Sequence, residues 1–204
     1  KEQEQLKSIA DQHIHLVHTV QNLAERKDAI RNLIELLKSM KSLYAVYEQA
    51  MQDYENADKD YECKRQQYED LYHHFIEGQA GRLALLLVEG EPCPVCGSTS
   101  HPRKAVGTDT VIDESKLDEA KTQMDEALNI KQNKNEAMQK ARQDYENKRN
   151  LASHEGRKII DSSFNPDEVN ITDLEDKLKD CREELNNKTT EMNKAKEDGD
   201  KYLK

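Results

Sequence analysis

Apolar residues recur in a three-four rhythm from Ile9 to Phe75. Ile9, Leu16, Leu23, Ile30, Leu37, Tyr44 and Met51 stand seven apart, and Leu33, Met40, Tyr47, Tyr54, Tyr61, Tyr68 and Phe75 form a second row at that interval. A seven-residue period keeps one face of a helix turned toward a partner helix, so the pattern predicts a coiled-coil arm. The first row weakens where Asp58 and Arg65 take its places. The regular tyrosines read as seam residues rather than a ligand-stacking surface.

A second arm is predicted from about Asp113. Ser115-Lys116-Leu117-Asp118 resembles a capping box that satisfies the first free amides of a helix. Leu117, Met124, Met138, Tyr145, Ala152 and Ile159 keep the seven-residue interval, with Lys131 in one place of the row. The rhythm stops at Asp161-Ser162-Ser163-Phe164-Asn165-Pro166-Asp167. There Asn165 suits a helix cap, Pro166 a first helical position, and Asp167 and Glu168 the positive end of a helix dipole. A helix through Leu174, Leu178, Cys181, Leu185 and Met192 should follow. The expected fold is therefore all-α: a long antiparallel coiled-coil hairpin, each arm roughly 120–150 Å at about 1.5 Å per residue. It divides into an ascending arm (1–78), an apical segment (79–112), a descending arm (113–160), a break (161–171) and a continuation (172–204). The break should lie opposite residues 30–40, as an elbow or bulge rather than a third antiparallel helix.

Composition supports helices that bury only a stripe. Hydrophobic residues are 35% of the 204, charged residues also 35%, aromatics 5%, and Trp is absent. Most of the seven Gly and four Pro cluster between Gly78 and Gly107, whereas a disordered chain would scatter them. The formal net charge of −10 has its bases interleaved with acids, as in Glu25-Arg26-Lys27-Asp28. That is a solvated helix face, so direct DNA binding by this segment is not expected. The longest apolar run, Leu83 to Val88, is too short to span a membrane. The sequence starts at Lys1 and both ends fall inside heptad pattern, as expected of an internal piece of a larger protein.

The candidate chemistry is at the apex, Gly90-Glu91-Pro92-Cys93-Pro94-Val95-Cys96-Gly97-Ser98-Thr99-Ser100-His101-Pro102. Two thiolates separated by two residues can hold one zinc ion, and Gly97 lets the backbone bend so that amides reach the sulfurs. A structural zinc site closes with four ligands, and the apex has two cysteines. Cys63 lies roughly 30–45 Å down the first arm and Cys181 farther down the second, so neither reaches. Both are read as small buried seam residues. A second apex supplies the missing pair, giving one zinc shared by a homodimer. His101 is the competing ligand, as the third donor of a site closed within one chain; otherwise it steadies the turn. His73 and His74 are adjacent on a helix and point apart, and His13, His15 and His18 read as solvated surface. A third alternative is a thiol–disulfide site at Cys93 and Cys96, although no βαβ pattern surrounds it.

The stretch Gly78-Gln79-Ala80-Gly81-Arg82-Leu83-Ala84, together with Gly90 through Pro102, resembles the zinc-hook segment of SbcC. This is the SMC-like ATPase subunit of the bacterial SbcCD nuclease. The resemblance covers about 25 residues and implies that Cys93 and Cys96 are zinc ligands; it assigns nothing to His101. It further implies a cytoplasmic DNA-repair complex in which ATPase heads, absent here, meet DNA and the SbcD nuclease subunit. No Gly-x-x-x-x-Gly-Lys-[Ser/Thr] loop and no clustered nuclease ligands occur, so this segment itself is not expected to catalyse a reaction.

Overall fold

The computed structural model describes residues 2–106 and 113–202. Gly107, and with it residues 107–112 of the expected apical segment, lie outside the described residues. Three helices are present among them: α1 (Glu2–Leu85), α2 (Glu114–Ile159) and α3 (Ile171–Tyr202), with no strand. Residues 2–85 of α1 contain no proline, and solvent-side pairs such as Arg65 with Glu69 at 2.6 Å brace the helix four residues apart. It ends where Leu83 accepts the amide of Leu86 and Gly90 turns the chain with φ 85°. No helix among the described residues is long and apolar enough to cross a membrane.

The chain forms two compact units, Tyr47–Lys140 and Lys1–Val46 with Ala141–Lys204. In the first, Asp53 meets Lys134, Asp58 meets Lys131 and Lys64 meets Gln123, so α1 and α2 run antiparallel in one register. That register sets Tyr54, Tyr61 and Tyr68 opposite Lys134, Ala127 and Ala120, so that two of the large rings stand where the alanines leave space. The tyrosines are half-buried and Ala127 is buried, as a seam requires. Asp58 and Lys131, each an interruption of its own apolar row, are partners at 2.6 Å, with the Lys131 ammonium 4.7 Å from the Tyr61 ring centre. The bond to Asp58 raises the Lys131 pKa.

One seam row differs from expectation. Leu16, Leu23, Ile30 and Leu37 are buried, but Tyr44 and Met51 are exposed. Ala50, buried Ala57, Lys64 and Leu71 take over the seam there, flanking the tyrosines on the other side. A straight helix at 3.6 residues per turn drifts about 20° per heptad, so a fixed seven-residue row leaves the interface unless the helices supercoil to follow it.

The second unit holds the main core. Ile30, Leu33, Ile34, Leu37 and Met40 of α1 pack with Ala152 of α2, Phe164, and Leu174 and Leu178 of α3. Leu37 and Ala152 are fully buried because both α2 and α3 lie on the same stretch of α1. The Tyr44 and Tyr145 rings meet at a tilt, with centres 5.2 Å apart, yet Lys38, earlier on α1, meets Glu175. Residues 160–170 run back along α2: Phe164 covers Gly156, and Asp167 binds Arg149 and Tyr145. The break is thus neither an elbow nor a bulge, but a return segment that overlaps two helices, both antiparallel to α1. The apolar stretch Ile30–Met40 is wide enough to take a helix on each side, which a two-helix seam would leave half exposed.

Both predicted caps move. Asp113, not Ser115, caps α2, accepting the Ser115 hydroxyl at 2.8 Å and the Ser115 amide at 3.4 Å. Asn165 caps only an isolated turn, accepting the Asp167 amide at 3.2 Å, whereas Asn170 caps α3 through the Thr172 amide at 3.1 Å. Cys181 is buried, its sulfur 3.5 Å from the Leu23 carbonyl. Cys63 is exposed, contrary to the seam reading, because it lies outside the rows led by Tyr61 and Lys64.

Candidate metal centre

The apex is built from backbone restraints placed by its glycines. Gly97 adopts φ 74° in the left-handed region, where an L side chain is strained. Its amide donates to the Cys93 carbonyl at 2.8 Å, closing a turn over the Cys-x-x-Cys segment. The Cys93 amide donates to the Ser98 carbonyl at 2.9 Å, and Gly90 donates to the Thr99 carbonyl at 3.3 Å. These bonds hold residues 98–99 beside residues 90–93 and deliver His101 to the cysteines. The Ser98 hydroxyl donates to the Ser100 carbonyl at 2.8 Å and accepts the Ser100 amide at 3.3 Å. The chain between the turn and the histidine is therefore fixed at each residue.

The sulfurs of Cys93 and Cys96 and a ring nitrogen of His101 all lie within 4.8 Å of one another. His101 Nε2 is 3.3 Å from Cys96 Sγ. Cys93 is buried at 8% exposure, Cys96 is exposed and His101 is half-buried. The Val95 amide points at the Cys93 sulfur from 3.4 Å. That amide first, and then the Cys96 amide, lower the Cys93 pKa and so favour the thiolate that binds metal. Two thiols and an imidazole converging on one point, with amides donating to sulfur, form a donor set suited to zinc.

This is the one group of three or more metal-ligand side chains among the described residues. His73 and His74 are exposed on α1, with His74 3.6 Å from Glu77, and His13, His15 and His18 join no such group. Sequence reasoning anticipates the two cysteines, the glycine and amides directed at sulfur, and has His101 as a competing ligand. It misses the exposed apolar residues of the segment that carries the site. Leu85, Leu86, Val88, Val95 and Val106 are all exposed, Val106 to 87%. For Leu85, Leu86 and Val88 the signal is the run Leu83–Val88, too short for a membrane span yet apolar where the chain meets solvent; Val95 and Val106 stand outside it.

Over 45 residues the chain is 44% identical to the SbcC component of nuclease SbcCD from Vibrio cholerae. The matched part is 22% of this chain and 4% of that protein, so the chain spans a small fraction of its curated relative. No family model matches the chain, and no solved structure matches it.

Proposed function

We propose that this chain is the hook segment of an SbcC-like protein, and that it joins two coiled coils by sharing one zinc ion between two copies of the apex. Cys93 and Cys96 are the ligands each chain brings. The observation that carries this is the incomplete thiolate set: two sulfurs aimed at one point, one beneath the turn and one open to solvent. A structural zinc site takes four ligands, and the other two described cysteines lie on helices outside this group. Zinc, when bound, supplies a redox-inert tetrahedral centre that gains most from four thiolates. Pairing would also cover Val95, which lies between the two cysteines and which a single chain leaves in water.

In the parent protein the segment would tether ATPase subunits of a DNA-repair nuclease, with a nuclease subunit and DNA engaged by parts outside this chain. The role of this segment is binding, not catalysis.

The 3.3 Å contact of His101 with Cys96 favours a second reading, in which one chain closes the site alone. Metal assay and sedimentation on the same samples separate the two. Pairing predicts dimers holding one zinc per two chains at limiting zinc, lost with chelator and in Cys93→Ser and Cys96→Ser, but retained in Cys63→Ser and Cys181→Ser. Chains that stay monomeric at every zinc level, each holding one ion, would exclude the hook.

A further inference from the structure

We propose that His101 is an exchangeable ligand that sets the zinc level at which two chains pair. This rests on the metal-bridged pairing argued above. In a single chain His101 completes a set of two thiolates and one imidazole. In the pair, the partner's two thiolates take its place.

Three observations lead there. The imidazole nitrogen is already among the donors, 3.3 Å from Cys96 Sγ and within 4.8 Å of both sulfurs. The bonds from Cys93 to Ser98 and from Gly90 to Thr99 tie down the segment leading to His101, so the ring is delivered with little ordering left to do. Cys96 is exposed, which leaves its side of the site open to an incoming chain.

Competition between the two sets then follows from mass action. A ligand on the same short loop acts at an effective concentration in the millimolar range, far above a partner chain at micromolar concentration. Thiolates from a partner are the better zinc ligands, and two of them arrive together. When zinc is scarce, sharing one ion between two chains satisfies four thiolates and pairs form. When zinc exceeds one ion per chain, each chain holds its own, closed by His101 and water, and pairing loses its advantage. His101 would thus make pairing depend on zinc in both directions, rising and then falling.

Zinc titration of the metal-free chain, followed by sedimentation velocity, tests this in the wild type and in His101→Ala. Cobalt replaces zinc in parallel, because sulfur-to-cobalt charge-transfer absorbance reports thiolates per ion. In the wild type, dimer should peak near one zinc per two chains and decline beyond one per chain, with the absorbance per cobalt declining alongside. His101→Ala should keep its dimer, and its absorbance per ion, to a higher metal excess. Cys93→Ser corrects for dimer held by the arms alone. A wild-type dimer that persists under excess zinc as His101→Ala does would overturn the exchange while leaving the hook intact; His101 would then only hydrogen-bond the sulfur. Dimer absent from both proteins at every zinc level would overturn the pairing itself, and the exchange with it.

Discussion

Residues 86–106 and residues 160–170 both follow the end of a long helix, and they meet water in opposite ways. At 160–170 the chain closes on itself: Phe164 and Pro166 are buried, and Arg149 and Tyr145 hold Asp167. At the apex the backbone is equally well tied, yet the side chains are left over. Leu86 is 70% exposed, Cys96 is exposed, and three metal donors converge with no fourth among the described residues. Pro and Ser serve both segments, joined by Gly at the apex and by Asp and Asn in the return. The difference lies in what stands opposite. The return segment faces a broad apolar stretch of α1 and a glycine that admits a ring, whereas the apex faces solvent. A break that has filled its own interior needs nothing further. One that retains donors and apolar surface still has the means to bind a metal ion, and on the reading proposed above a second chain with it.

The largest test of that contrast is Phe164. A Cβ built on Gly156 would collide with the Phe164 ring, so the ring occupies the volume the glycine vacates. Phe164→Ala should cost about 3–5 kcal/mol, from lost burial and the cavity left behind. Gly156→Ala should also destabilise, because the ring must leave its place. Denaturant unfolding read near residues 145–180 should show the loss equally with zinc and with chelator, while zinc-dependent pairing persists in native buffer. A Phe164→Ala chain of unchanged stability, or one that lost pairing while remaining folded, would show the break is not self-contained.

A smaller effect is expected at the apex from Gly97→Ala. Nothing lies within 4 Å of a Cβ there, so space is no obstacle and the cost is backbone strain at φ 74°. About 1–2 kcal/mol is expected for an L residue held in that region, and it should appear as a roughly five- to thirtyfold loss of zinc affinity. Asn, which tolerates the left-handed region, should recover part of it. Helix content should not change. Undiminished zinc affinity in Gly97→Ala would mean that metal binding does not use this turn.

Most of the helical architecture is legible in the sequence because heptad spacing is a direct consequence of helix geometry, and Ile30, Leu33 and Leu37 fall where their spacing puts them. The apex is legible from its cysteines and glycines, whose chemistry is local. Three features resist. The drift of the seam past Tyr44 depends on supercoil, which single-row counting ignores. Asp58 and Lys131 look like separate defects until the register brings them together. The return at 160–170 hides because Asn165-Pro166-Asp167 is a good helix start, and only the apolar width of Ile30–Met40 on a distant stretch hints that two helices land there. Apart from the α2 cap, which falls at Asp113 and not at Ser115, local signals read correctly where the structure is local, and mislead where a long-range partner decides.

The finest test uses pH to ask how much the polar tie adds to the self-contained break. Arg149 donates to Asp167 at 2.7 Å and Tyr145 donates at 3.3 Å, and the Arg149 bond is the main cause that lowers the Asp167 pKa. Because the folded pKa lies below the unfolded one, the carboxylate contributes stability above the unfolded value of about 3.9. That contribution fades as pH falls through the folded pKa, once both states bind the proton. The pair is partly solvent-exposed, so screening should keep the gain within about 1 kcal/mol. Asp53, Asp113 and Asp161 also have lowered pKa values, so an acid melt of the wild type alone cannot isolate Asp167. The measurement is the difference in thermal stability between wild type and Asp167→Asn, in chelator, across falling pH. The gap should be steady from about pH 7 to 5 and narrow below about pH 4, and added salt should shrink it at neutral pH. A gap that stays constant into acid would mean that shape alone, chiefly the Phe164 ring against Gly156, holds the return segment, and that its polar tie adds nothing.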